Sequence, residues 1–375
     1  MKTQRGDDMK AWVKEKLSQI SELYPQERLE KSKARYKAIW AGKQPGDRYP
    51  FVFLPAGFNY YNDVMSKEDA LRAYLDEFIL RGFINDDFIP GFFPGCKTST
   101  IPGMFGAAEI VIGGEYFCEK ILHKPTDIDR LPAPSIRPST PAMQWLEAQQ
   151  YFLEECEGEI SVHVCDMQGP MDVCGQLFGY ENLFLCAYDD EPRFNKLMDI
   201  TAEAFNMLWD AQAKLLGDSF IGTHLFGWSW VPEGSGASMS VDSMAMLSDD
   251  FFAEFYAPHV TKMADIYNGL TVHSCGDFSA VVKGLSDIEN VKAVNASEMP
   301  ADKLLEAGWD VKKLLVLMDG IDNAGDLFDM ARERKLLLDV SLWGLWPETP
   351  PAEWTAKHRA EMIMKAEKIA SLAAI

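Results

Sequence analysis

The alternation of short apolar runs with longer segments of helical period constrains this chain more than any other feature. Eight runs read as strands: 50–54, 83–89, 159–164, 218–225, 269–274, 291–296, 314–319 and 336–343. Segments with apolar residues spaced three and four apart read as helices over 66–82, 191–217, 249–269, 322–335 and 352–373. A strand that returns through a helix runs parallel to its predecessor, and the helix covers one face of the sheet. Eight such units predict an α/β fold of the closed (β/α)8 TIM barrel class. An open doubly wound sheet is the alternative, but no GxGxxG follows a strand and there is no P-loop. Residues 1–48 are polar with spaced apolar positions and read as an N-terminal helical extension; residues 49–375 read as the barrel.

Charge narrows the partners. The chain carries 57 acidic and 36 basic residues, a net −21 over 375 residues. Such a surface repels phosphate backbones and anionic lipid, so neither nucleic acid nor membrane is expected. The N-terminal stretch "MKTQRGDDMKAWVKEKL" lacks an apolar h-region, and no run of 18 apolar residues occurs. The seven cysteines are odd in number and scattered, which argues against a disulfide framework and for a reducing cytoplasm. A homodimer is compatible with all of this.

The segment "TVHSCGDF", residues 271–278, places His273 and Cys275 two positions apart where a strand ends. Residues two apart on a strand face the same side. An imidazole and a thiolate on one ion suit Zn²⁺, which takes nitrogen and sulfur ligands in four-coordination. Glu298 ends the next candidate strand and is the expected third ligand; Asp242, Glu233, Asp319 and Asp277 are further donors. The same pair is also compatible with simple packing. Rings crowd the loops at the strand ends: Phe58, Tyr60 and Tyr61 in one, Phe226, Trp228 and Trp230 in a second, Trp343 and Trp346 in a third. With nearby carboxylates they suit a flat aromatic or cationic ligand, although rings also close a mouth by packing. His224, Asp166 and Asp242 are the candidates for proton transfer and substrate orientation.

Three segments, "GPMDVCGQLFGYENLFLCAYDDEPRFNKLMDI" (169–200), "DSMAMLSDDFFAEFYAPHV" (242–260) and "VHSCGDF" (272–278), resemble the uroporphyrinogen decarboxylase superfamily. The resemblance implies a (β/α)8 barrel and one of two activities. One branch decarboxylates a tetrapyrrole without a cofactor. The other consists of zinc-dependent methyltransferases that pass methyl groups to or from a corrinoid protein. The decarboxylases carry an arginine-bearing loop after the first strand. Here that loop, "LPAGFNYYNDVM" (54–65), has no base, and neither do the other expected strand-end loops. A buried polycarboxylate would lack counter-charges there. The resemblance therefore implies a methyltransferase taking methyl from a small donor, an aromatic methyl ether or a methylated amine. The acceptor would be the cobalt of a separate corrinoid protein, since no D-x-H-x-x-G motif is present. A later cysteine ligand of the zinc methyltransferases is missing; Trp343 stands near its place. A decarboxylase and a non-catalytic binding protein are the alternatives.

Overall fold

The computed structural model describes residues 2–54, 65–95, 97–138, 140–222 and 229–375. Within them the strands are β1 (Phe51–Phe53), β2 (Gly91–Phe92), β3 (Glu109–Ile112), β4 (Glu115–Cys118), β5 (Ser161–His163), β6 (Phe220–Ile221), β7 (Ala237–Ser240), β8 (Leu270–Ser274), β9 (Val291–Ala296), β10 (Leu314–Gly320) and β11 (Leu337–Trp343). The parallel α/β class expected from the sequence is what forms. One sheet of six parallel strands runs β1-β11-β10-β9-β8-β7, and a second of three runs β2-β5-β6. Backbone hydrogen bonds join the two sheets: Ser240 N–H to Met167 O at 2.9 Å and Gly169 N–H to Ser240 O at 2.7 Å. At the other seam Asp87 N–H donates to Phe51 O at 2.9 Å.

Three departures from the expected strands have physical causes. The run 83–89 is not a strand, because its two aspartates are spent on β1. Asp87 accepts from Phe51 N–H at 3.2 Å and Asp86 from Phe53 N–H at 3.1 Å, while Arg35, Arg48 and Arg81 neutralise them. The run 218–225 gives only Phe220–Ile221 among the described residues, and β7 was not expected, since "ASMS" has no apolar signature. Beside β5 these two short strands occupy successive stretches: β6 pairs with Val162–His163, β7 bridges at Gln168. The end of β6 and the start of β7 stand together, for a Cβ at Gly222 would lie 3.2 Å from Gly236 O. The third departure is the antiparallel pair β3–β4, turned by Gly113 and Gly114 at φ +64° and +94°, the backbone that a two-residue hairpin loop demands.

The helices follow their sequence signals. Lys67–Arg81 is capped by the Ser66 hydroxyl, which accepts from Asp69 N–H. Glu191–Leu216 starts behind Asp190 with Pro192 in its first turn and buries Phe194, Leu197, Met198, Thr201, Phe205, Leu208 and Gln212 along one stripe. The helix expected over 249–269 is interrupted by a π-helical turn, Phe252–Tyr256, just before Pro258. Proline has no N–H to give to the preceding turn, so the register widens there.

The sheet buries both faces. Val272, Val294, Leu315, Leu317, Leu338 and Val340 pack with the helices in the main core. The opposite face carries Ala293, Leu314, Val316 and Leu337, closed at the N-terminal ends of the strands by Tyr36 and Ile39 of the helix Gln26–Trp40. Each such fully buried aliphatic side chain contributes about 1.5–3 kcal/mol. The segment before residue 48 is thus built into the core of the fold, through Val13, Ile20, Tyr36 and Ile39.

Candidate metal centre at the strand ends

Toward the C-terminal ends of the strands the enclosed face turns polar. Ser240, His273 and Asn295 are register partners on β7, β8 and β9. All three are buried. Asn295 Nδ2 donates to Val316 O at 3.0 Å, which turns its Oδ1 toward His273 Nδ1 at 2.7 Å. A carboxamide oxygen can only accept, so His273 carries its proton on Nδ1. Nε2 is then the basic nitrogen, and it lies 3.4 Å from Cys275 Sγ and 3.9 Å from Asp242 Oδ1. Fixing a histidine's tautomer through its other ring nitrogen is how metal sites orient an imidazole.

Asp242 enters from the end of β7. Its own N–H and that of Ser243 donate to the buried carboxylate of Asp172, at 2.7 and 3.1 Å. Its Oδ1 in turn accepts the Cys275 N–H at 2.8 Å. Burial is the main cause that pushes Asp172 up to about 7; the Ser243 hydroxyl acts against it. Burial likewise pushes the Cys275 thiol up to about 11, with the Asp242 charge adding to it and the Ser297 hydroxyl, 3.6 Å away, opposing it.

His273, Cys275 and Asp242 offer ligand atoms all within 4.8 Å of one another. Tetrahedral ligands at Zn²⁺ distances of about 2.0–2.3 Å stand roughly 3.3–3.8 Å apart. The separations of 3.4 and 3.9 Å from Nε2 are close to that range. The donor set, one nitrogen, one sulfur and one oxygen, is one that zinc takes. A high thiol pKa does not oppose this, because a coordinated thiol loses its proton to the metal's charge.

The sequence-expected residues distribute unevenly around this group. His273 and Cys275 come together as the His-x-Cys spacing requires. Glu298 is exposed and does not belong to the group; Asp242, expected as an orienting residue and as one of four further donors, takes the third corner. The cause is that β9 ends at Ala296, so strand alternation no longer sets the direction of residue 298. Asp166 is buried beside the group, accepting from the Ser240 hydroxyl at 2.5 Å and from Gln168 Nε2 at 3.2 Å. Trp343, the last residue of β11, is 47% exposed at this same end of the sheet. Trp230 is at the other end: its ring lies 6.3 Å from that of Tyr36, with the Lys33 ammonium 5.8 Å above it. It therefore cannot line a mouth with Trp343. His224, Phe58, Tyr60, Tyr61 and Trp228 lie outside the described residues. Asn295 and Asp172 were missed. The signal for Asn295 was present, a lone amide in the buried run "VKAVNA". Among the described residues no Lys or Arg pairs with Asp172 or Asp242; the nearby Lys303 is engaged by Asp277 at 2.6 Å.

In fold the chain is similar to a solved methyltransferase from Methanosarcina mazei. The likeness covers 90% of this chain and 98% of that one, at a TM-score of 0.63 and 16% sequence identity. At that identity it speaks for the fold. No family model matches the sequence, and no curated protein matches it.

Proposed function

We propose that this chain is a methyltransferase of the uroporphyrinogen decarboxylase superfamily, working on a closed (β/α)8 barrel. In this reading it moves methyl from a small aromatic ether or methylated amine to the cobalt of a separate corrinoid protein in the cytoplasm. The barrel is supported by the two hydrogen-bonded seams and by β6 and β7 sharing one edge of β5, which leaves eight strand places for nine parallel strands. No helix among the described residues is long and apolar enough to cross a membrane. The observation that carries the functional reading is the convergence of Asp242, His273 and Cys275 at the strand ends, with the imidazole oriented by Asn295.

These three residues would hold zinc, which when bound supplies Lewis acidity toward the oxygen or nitrogen that bears the methyl group. The chain's own residues do the rest. Asn295 accepts from Nδ1 of His273 and so leaves Nε2 aimed at Cys275 and Asp242. Asp172 grips the backbone of Asp242 and Ser243, so the carboxylate stays in place. Cys275 gives up its thiol proton when a cation takes its sulfur. Asp166, held by Ser240 next to His273, is placed to accept a hydrogen bond from the donor molecule. Trp343 offers an aromatic face at the same end. The decarboxylase alternative requires several substrate carboxylates beside Asp166, Asp242 and Glu298, which would repel them.

Metal analysis of chelator-free protein tests the proposal. About one zinc per chain is expected in the wild type and under a tenth of that in Cys275→Ser, with methyl transfer lost in parallel. Wild-type protein that transfers methyl equally well with and without stoichiometric zinc would refute it.

A further inference from the structure

Two tryptophans lie close together at the end of β11, and one of them has its ring engaged. Trp346 donates its indole N–H to Leu54 O and stacks on Trp354, with centroids 5.4 Å apart and planes 4° from parallel. Trp343 has neither an aromatic partner nor an acceptor for its indole N–H among the described residues. An exposed ring by itself means little; its placement is what carries information. Alternation puts Trp343 on the face of β11 that holds Leu337, Asp339 and Ser341, the same enclosed face that carries His273 on β8. Its register partner on β10 is Gly320. The indole leans across that glycine, for a Cβ there would stand 3.2 Å from Trp343 Nε1 and 3.6 Å from Cε2. The backbone of Gly320 is outside the left-handed region, so the chain path does not require glycine; the ring does. Past β10 the sheet continues to β9 and then β8, so the lean carries the ring toward the metal centre. Val340, Leu317, Ala296 and Ser274 are level with one another. Cys275 is one residue beyond that level and Trp343 three, which sets the ring's strand position about 7 Å further along the strands than that of Cys275.

We infer that Gly320 is a positioning residue for Trp343, and that the indole so placed is the stacking wall for a donor whose methyl group is carried on a planar aromatic ring. This rests on the methyltransferase reading above and narrows it to the aromatic methyl ether. A flat ring covers a whole face of an indole, whereas a small methylated nitrogen meets it with one side. The chemistry of the metal agrees: an ether oxygen keeps its lone pairs at neutral pH, while a protonated methylamine has none to offer a Lewis acid. Any side chain larger than a methyl group at position 320 would occupy the space of the ring and push it off this wall.

Isothermal titration of the purified full chain with 2-methoxyphenol and, separately, trimethylammonium chloride tests this, with the zinc content of each protein measured alongside. Saturable binding of 2-methoxyphenol is expected, tighter than that of trimethylammonium. Trp343→Leu and Gly320→Val should each weaken it about tenfold, the scale of one aromatic stack, while Trp343→Phe keeps most of the affinity. The double variant Trp343→Leu with Gly320→Val should bind no more weakly than either single one, because both remove the same contact. Zinc content should match the wild type in every variant, which separates loss of the wall from loss of the metal centre. No saturable binding of 2-methoxyphenol, tighter binding of trimethylammonium, an affinity unchanged in Trp343→Leu, or additive losses in the double variant would overturn the inference. Loss of affinity as expected in a protein that neither holds zinc nor transfers methyl would instead overturn the methyltransferase reading and leave the stacking wall standing.

Discussion

Asp339 sits in the middle of β11, fully buried, and among the described residues no Lys or Arg pairs with its carboxylate. Burial lifts its carboxyl from the ordinary 3.8 up to about 7, against the opposing effect of the Ser229 hydroxyl. In the unfolded chain the group ionises near 3.8, so between about pH 4 and 7 the folded state binds the extra proton. Stability from this group is therefore fully present below pH 4 and is lost as pH rises toward and past 7. Integrating that difference from pH 5 to pH 8 gives a loss of roughly 2.5 kcal/mol. Asp339→Asn keeps the shape and removes the titration. Urea unfolding of both proteins at pH 5 and pH 8 should show the wild type losing about 2.5 kcal/mol more than the variant over that interval, at an unchanged slope. The comparison cancels Asp172, whose carboxyl is lifted the same way in both proteins. An identical pH dependence in wild type and variant would mean that Asp339 is ionised in the fold and finds a partner, and the reasoning would fail.

Further outcomes follow from the metal centre and from one turn. Asp242→Ala should lose zinc while Glu298→Gln retains it, as read by metal analysis after gel filtration; the reverse result would return Glu298 to the ligand set. Asn295→Leu should weaken zinc about 10–100-fold in a chelator competition, with Asn295→Asp restoring most of the affinity because it again accepts from His273 Nδ1. Gly236→Ala should destabilise by about 3 kcal/mol or more in a urea melt, since Gly236 has φ +92° and a Cβ there would stand 2.0 Å from Gly269 O.

The sequence carried the parallel α/β class and the His-x-Cys pair because both rest on periodicity, which folding preserves. Its resolution stopped where periodicity stops. Strand alternation predicted the direction of His273 correctly, but Glu298 lies two residues beyond the end of β9 and points to solvent. The third corner of the site comes instead from Asp242, at the end of a strand of Ala, Ser, Met and Ser that has no apolar signature of its own. Asp172 illustrates a different limit. It is an ordinary helix first-turn acid by sequence, and only tertiary packing aims its carboxylate at the N–H groups of residues 242 and 243. Trp230 and Trp343, both expected in strand-end loops around one mouth, separate because Trp230 packs on Tyr36 at the N-terminal ends of the strands while Trp343 ends β11.

The shared edge of β5 has a consequence for how such a chain can be altered. Because β6 and β7 occupy successive stretches of one strand place, the flanking positions Gly222 and Gly236 stand together, and a change in chain length between them starts and ends at nearly one point. Lengthening a loop with adjoining ends costs only as the logarithm of its length, about 0.6 kcal/mol for each doubling. No strand on either side needs to slip, since β7 is pinned by its own bonds to Met167 and Gly169. That interval is a natural insertion port: a place where segments of quite different size and chemistry could be exchanged while His273, Cys275 and Asp242 keep their mutual distances.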